Sequence, residues 1–317
     1  MSTVARDWSL YNRLHTSEFD GLVAWLSRIY LPPQRSLCPG RPPMSRTDML
    51  KAFIVKEYFH CSSRQLVNLL RYLKDLLQIS KIPHFNTVIK YMGDKNFREW
   101  VHFNVKMTCK MLWDVEKVFA VDATGFSTTA KRFWVDIRYK EPIEVRDYTK
   151  LHAIVGIKTG IITALKITTG IGSDVKQFPE LFKELIERHT VQEICGDKAY
   201  MSRKNIKMVV RKGGTPFFHP RDNARISSNR KDIAWNDVVE YYQDHRSEWL
   251  KKYHRRSNVE SVFSRIKRKF GGRLKSKKRG ARITELLIKI LLYNRTIINS
   301  MVKTYPTDEH GRLIMND

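Results

Sequence analysis

KVFAVDATGFS, residues 117–127, is the stretch on which the fold turns. Four apolar residues, Val118 to Val121, lead directly into Asp122. That pattern reads as a buried strand followed by a turn, with an acid at the strand's carboxyl end. Moving outward, KLHAIVGIKTG (150–160) and IITALKITTG (161–170) read as a hairpin around Thr159 and Gly160. QEICGDKAY (192–200) is another strand, ending at Asp197, and TPFFHP (215–220) is a short one. Helical patterns fall at 174–189, where Asp174 and Gln177 have capping-box spacing, and at 202–210. Further helices read at 237–270, as one long or two abutting helices, and at 281–302; 221–236 reads as polar loop. Strands and helices in this order predict an α/β fold, a mixed sheet with helices on its faces. Asp122 and Asp197 then both sit at the carboxyl edge of the sheet, where open α/β sheets place their sites.

The segment YHRRSNVE (253–260), with Lys267 after it, supplies a third carboxylate. At about 100° per residue, Tyr253, Arg256, Glu260 and Lys267 share an arc of roughly 60° on a helix. Val259, Val262, Phe263, Ile266 and Phe270 fill the adjacent arc as a stripe to be buried. An acid bordering that stripe among basic residues suits joint binding of metal and phosphate better than ordinary Glu–Lys pairing on a solvated face. Hydrolysis of a phosphodiester needs an activated nucleophile and a stabilised leaving oxygen, and two divalent ions supply both. Two aspartates and a glutamate are the hard oxygen ligands that Mg²⁺ prefers.

The spacing Tyr-x2-Arg-x3-Glu-x6-Lys resembles the signature of insertion-sequence DDE transposases with an RNase H-like core. FAVDATGFS and CGDKAY resemble the family's two aspartate strands, DYTKLHAIVG its second strand, and LLYNRTII its closing helix. The resemblance covers roughly residues 45–300. It implies Asp122, Asp197 and Glu260 as catalytic metal ligands for two Mg²⁺ ions, with Mn²⁺ as a substitute. It implies Tyr253, Arg256 and Lys267 as contacts to transposon-end phosphates. The implied reaction is cleavage at element ends followed by strand transfer into target DNA, by a homodimer or larger assembly on DNA. A resolvase-like nuclease that cuts without joining, or a silent DNA-binding descendant, are the alternatives. Asp197 and Glu260 lie only 63 positions apart, so the β-rich insertion of some relatives does not fit, which puts the hairpin intermediate it serves in doubt. Trp235 in that interval reads as a packing residue rather than a base-stacking one.

Composition agrees. The 317 residues carry a net charge of +26, which calls for a polyanionic partner, and DNA is the leading one. The segment 246–282 holds 15 Lys and Arg against two Glu, half of that charge. Arg265, Arg268, Lys269, Arg273, Lys275, Lys277, Lys278 and Arg279 within it read as a DNA backbone track. The division expected is a terminal arm or linker (1–44), a helical, helix-turn-helix-like DNA-binding region (45–113), an RNase H-like catalytic domain (114–302) and a tail (303–317). In the helical region, 47–59 reads as amphipathic, 62–77 as a second helix, 86–92 as a third and 97–113 as a longer one. The four cysteines, Cys38, Cys61, Cys109 and Cys195, are scattered, so no zinc site is expected. With no apolar leader and no uninterrupted apolar span, the expected location is cytoplasmic, at the nucleoid, without membrane contact.

Overall fold

The computed structural model describes residues 12, 16–29, 43–135, 142–170, 172–309 and 312–315, in two compact units. The first comprises residues up to Thr108 together with Lys278–Asp308. Its helices are α1 (Glu18–Arg28), α2 (Arg46–Tyr58), α3 (Ser63–Leu73), α4 (Phe85–Gly93), α5 (Lys95–Thr108) and α11 (Arg279–Thr304). The arm is therefore not all linker. Leu22 and Leu26 of α1 are buried, while most of the Pro/Gly-rich stretch at 31–45 lies outside the described residues.

Helix α2 is not amphipathic. Every residue from Thr47 to Glu57 is buried, because α3, α4 and α11 all pack on it. Its charges survive burial by pairing. Lys51 donates to the Leu77 carbonyl at 2.7 Å, and Lys56 pairs with Glu57 at 2.7 Å. The same contact explains why α3 stops at Leu73 rather than Leu77. Beyond Leu73 the chain turns to bury Leu77 and Ile79 and to present carbonyls to Lys51. The start of α3 is fixed by a full capping box between Ser62 and Gln65. The closing helix α11 also departs from the expected division: it belongs to this unit, packed on α2, α4 and α5, rather than to the unit holding the sheet.

The second unit, Cys109–Lys277 with Glu309–Asp317, holds a five-stranded sheet in the order β3-β2-β1-β4-β5. The strands are β1 (Val118–Val135), β2 (Pro142–Gly156), β3 (Ile162–Thr169), β4 (Glu193–Gly196) and β5 (Thr215–Phe218). β1, β2 and β3 are antiparallel neighbours, and β4 and β5 join in parallel. Around the sheet lie α6 (Asp174–Ile186), α7 (Arg203–Val210), α8 (Ile233–Asp244), α9 (Arg246–Tyr253) and α10 (Ser257–Phe270). This is the expected mixed sheet with helices around it, and the β2–β3 hairpin turns at Gly160, whose φ of 73° suits glycine.

Three local expectations change. β1 does not turn after Asp122 but pairs with β2 through Ser127 and, past a bulge, from Lys131. Gly125 makes room for Tyr148: a Cβ there would lie 3.3 Å from that ring. Ser173 holds the N-cap position of α6 without a side-chain capping bond, and Asp174 pairs with Lys150 at 2.6 Å instead of closing a capping box. Residues 233–270 form three separate pieces, with a 3-10 turn at His254–Arg256. Among the described residues no helix is long and apolar enough to cross a membrane.

The core predicts an acid sensitivity. Burial pushes His152 and His189 down to about 4 and Asp122 up to about 6. The histidines stay neutral in the fold while the unfolded chain takes up protons below its ordinary histidine value, so they withdraw stability as pH falls from about 6.5 toward 4. Asp122 acts in the opposite sense over the same window, gaining its proton more readily in the fold. Two groups outweigh one. Unfolding in urea at pH 5 rather than 7 should show a loss of about 2 kcal/mol, and unchanged stability would show that the histidines are not held neutral.

Candidate active site

The sheet register brings the two aspartates together. Val121 pairs with Gly196, so Asp122 and Asp197 are the next positions on neighbouring parallel strands, which run about 5 Å apart. Gly196 is needed for that approach, since a Cβ there would stand 2.8 Å from Val121 Cγ1. Each carboxylate is held by backbone just after it: Asp122, within β1, accepts the Ala123 N–H at 2.8 Å, and Asp197, past the end of β4, accepts that of Ala199 at 2.9 Å. Burial raises Asp122 to about 6 against the pull of Arg256, and the charges of Asp197 and Glu260 push the same way.

Helix α10 buries Val259, Val262, Phe263, Ile266 and Phe270 as the pattern predicts and leaves Glu260 exposed at the edge. Arg256, on the 3-10 turn before it, donates to Asp122 Oδ2 at 2.6 Å and to Glu260 Oε1 at 2.7 Å. One guanidinium thus bridges a carboxylate from β1 and one from α10. Among the described residues no three acidic, His or Cys side chains are gathered as a ready-made metal site. At this edge the Arg256 fork lies between two of the candidate ligands.

The turn carrying Arg256 is clamped to β4. Glu193 accepts from Lys252 at 2.6 Å and from Arg255 at 2.7 Å, and the Cys195 thiol donates to the Lys252 carbonyl at 3.2 Å. Because the helix breaks at residue 254, Tyr253 belongs to α9 instead of continuing one helical arc. Its ring stacks on Trp249 at 5.2 Å and meets His219 at 5.1 Å. Lys267 donates to Thr124 Oγ1 at 2.7 Å, and burial lowers its ammonium from the ordinary value. Tyr253, Arg256, Glu260 and Lys267 thus come from three elements yet line the same edge as Asp122 and Asp197.

The basic residues after Lys267 are tethered. Ser127 N–H donates to Gly272 O at 3.1 Å, Leu274 N–H donates to Ser127 O at 2.8 Å, and Leu274 is fully buried. Arg265, Arg268, Arg273, Lys275 and Lys277 are exposed and Lys269 is half-buried, while Lys278 and Arg279 are exposed in the other unit. Trp235 packs against the core, donates its indole N–H to the Arg225 carbonyl at 2.9 Å, and lies under Arg203.

Sequence reasoning passed over a polar group beneath the site. Asp174 pairs with Lys150 and lies 3.1 Å from His152 Nδ1, while Thr168 meets His152 Nε2 at 2.9 Å. Buried Tyr200 lies in the field of Asp174, Asp122 and Asp197, which with burial push its phenol well above the ordinary value. The available signal was Lys150 and His152 alternating with apolar residues on a buried strand.

Residues 113–295 match the family described as Transposase DDE domain. A probable transposase for insertion sequence element ISA1214 of Archaeoglobus fulgidus is 24% identical over 263 residues, covering 80% of this chain and 76% of that protein. Among solved structures, a piggyBac transposase synaptic complex with hairpin DNA aligns with a TM-score of 0.42 at 13% identity, covering 92% of this chain and 73% of that one. A Drosophila P element transposase strand transfer complex aligns with a TM-score of 0.31 at 11% identity, covering 94% of this chain and 87% of that one.

Proposed function

The chain belongs to the transposase DDE domain family, a DNA transposase therefore, and on that premise we propose that Asp122, Asp197 and Glu260 are its metal-holding residues for cleavage at element ends and strand transfer into target DNA. The observation that carries the assignment is Arg256. A guanidinium drawn between a half-buried aspartate and an exposed glutamate marks a place where negative charge is concentrated and a cation is favoured.

The donor set fits divalent ions of the Mg²⁺ or Mn²⁺ type, two in number: carboxylate oxygens from within β1, from just past β4 and from α10, with Asp122 raised to about 6 by burial against the pull of Arg256. Ions held there would supply the charge that activates the attacking oxygen and stabilises the leaving one. The chain's own residues do the rest. Arg256 and Lys267 offer cationic N–H groups along the edge and hold the scissile phosphate in line. Tyr253, braced by Trp249 and His219, adds a hydroxyl and a flat wall beside Arg256. The basic residues from Arg265 to Lys277 carry the duplex away from the site along its phosphates. Residues 45–113 act with the terminal helices in reading the element ends. Exposed Arg71, Tyr72, Ile89 and Lys90 on α3 and α4 support that role. Joining two ends to one target requires two copies of the chain, so the active assembly on DNA is a homodimer or larger.

The test is joining. Purified protein is mixed with a duplex carrying the inverted repeats that flank its reading frame, a circular target, and Mg²⁺ or Mn²⁺. The expected products are 3′-hydroxyl ends at the repeat boundary and covalent end–target joints, both lost in EDTA. Cleavage without joints would point to a resolvase-like nuclease, and binding with neither product would leave a silent DNA-binding descendant.

A further inference from the structure

A second basic surface lies in the sheet-bearing unit, apart from the track after Lys267. Helix α7 and the segment leading into α8 enclose a groove of about 560 Å³. Its walls present Arg203, Lys204, Lys207 and Arg211 from one side and Arg230 and Lys231 from the other, all six exposed. Two carboxylates answer them. Asp232 is taken by Arg203 at 2.8 Å and by the Ser227 hydroxyl at 2.7 Å, and Asp237 is the other. Among the described residues Lys204, Lys207, Arg211, Arg230 and Lys231 have no ion-pair partner.

Helix energetics do not account for this. Cations in the last turn of a helix complement its dipole, which covers Lys207 and the following Arg211. Arg203 and Lys204 occupy the first turn, where the dipole disfavours them, and no acid sits there to compensate. Lys204, Lys207 and Arg211 share an arc of roughly 60° and run about 10 Å along the helix. The floor is stiff: Trp235 packs on the core, and Arg203 lies 4.9 Å above its ring. A rigid row of unpaired cations with few competing acids complements a repeating line of single negative charges.

We propose that this groove is a second, sequence-independent contact for the phosphate backbone of duplex DNA. It rests on reading the chain as a DNA-processing enzyme and adds a binding surface to that reading. α7 starts six residues after Asp197, so the row begins near the carboxyl edge of the sheet and leads away from it. The row's side chains are ammonium and guanidinium groups suited to phosphate, with no Asn or Gln among the groove's lining residues.

The experiment measures affinity of the full chain for two unrelated duplexes against NaCl concentration, in EDTA so that nothing is cut. Lys204→Gln, Lys207→Gln and Arg211→Gln together should make the log–log slope shallower by about 2–3, at about 0.9 per phosphate contact, equally on both duplexes. A control triple with the same charge change at exposed positions elsewhere, Lys110→Gln, Lys176→Gln and Lys183→Gln, should leave the slope alone. Lys204→Arg with Lys207→Arg should keep it too, and Lys207→Gln alone should shift it by about one contact. The proposal is overturned by an unchanged slope in the groove triple, by an equal change in the control, or by an effect confined to one sequence. It is equally overturned if binding of single-stranded RNA falls while the duplex slope holds. Cleavage of the repeat-bearing duplex by the same preparation is read separately. Its absence would sink the enzyme reading and leave the groove result standing, whereas an unchanged slope with intact cleavage would sink the groove alone.

Discussion

Asp122→Asn, Asp197→Asn and Glu260→Gln are each expected to slow cleavage of a repeat-bearing duplex by about a thousandfold or more, because several kcal/mol of transition-state charge stabilisation is lost at about tenfold per 1.4 kcal/mol. Binding of the uncut duplex in EDTA should hold or tighten, since each change removes a negative charge that repels phosphate. Amides are the informative replacements. An asparagine at 122 keeps the shape and one of the two oxygens, which accept separately from the Ala123 N–H and from Arg256, so it disturbs packing less than alanine would at the loss of one of those contacts. Stability gives a second reading. Burial raises Asp122 to about 6, meaning that the fold disfavours its charged form. Above that pH the neutral amide should melt no lower than the parent, while Glu260→Gln, at an exposed position, should leave the melting temperature unchanged. A site that costs stability in the resting protein and is required for turnover is the pattern expected of functional carboxylates. If any one of the three variants cut at near-parental rate with Mg²⁺, that residue would leave the metal set.

Much of this was readable from local pattern. The apolar run before Asp122, the hairpin at Gly160 and the stripe from Val259 to Phe270 each depend on residues close in sequence, and the structure reproduces them. What could not be read depends on distant partners. Helix α2 contains Asp48, Lys51, Lys56 and Glu57, and charge at that density reads as a solvent face. Only three-dimensional neighbours show otherwise, such as the Leu77 carbonyl for Lys51 and Lys289 near Glu57 at 3.9 Å. Likewise α11 follows the sheet-bearing unit in sequence but buries its apolar residues against α2, α4 and α5. At the candidate site the four residues of the helix spacing were legible as one face. The 3-10 turn that separates Tyr253 from α10 was not, because the clamp producing it joins Glu193 to Lys252 and Arg255, 59 and 62 positions away.

Arg256 is where the same limitation matters most, since its contact to Asp122 spans 134 residues. From sequence it is a phosphate contact; in the structure it is the counter-ion of two carboxylates. The two roles are compatible if they alternate. A cation entering between Asp122 and Glu260 makes the guanidinium redundant there, and its five donors are then available to a DNA phosphate. Arg256→Ala should therefore bind Mn²⁺ several-fold more tightly than the parent, because the metal no longer displaces a bound cation. It should cut about a hundredfold more slowly, for loss of a charge-assisted contact of about 3 kcal/mol to the reacting phosphate. Affinity for uncut duplex should fall only by the worth of one backbone contact. Arg256→Lys should be intermediate, since a single ammonium on a flexible stem does not reproduce the planar fork. Titrations belong at pH 8: Arg256 holds Asp122 down, and without it Asp122 rises further above about 6 and binds protons in competition with metal. Tighter metal binding together with slower cleavage separates this account from its rival. If Arg256→Ala left Mn²⁺ affinity unchanged and lost DNA affinity and cleavage in proportion, Arg256 would be an ordinary backbone contact and its bridge between Asp122 and Glu260 incidental to the reaction.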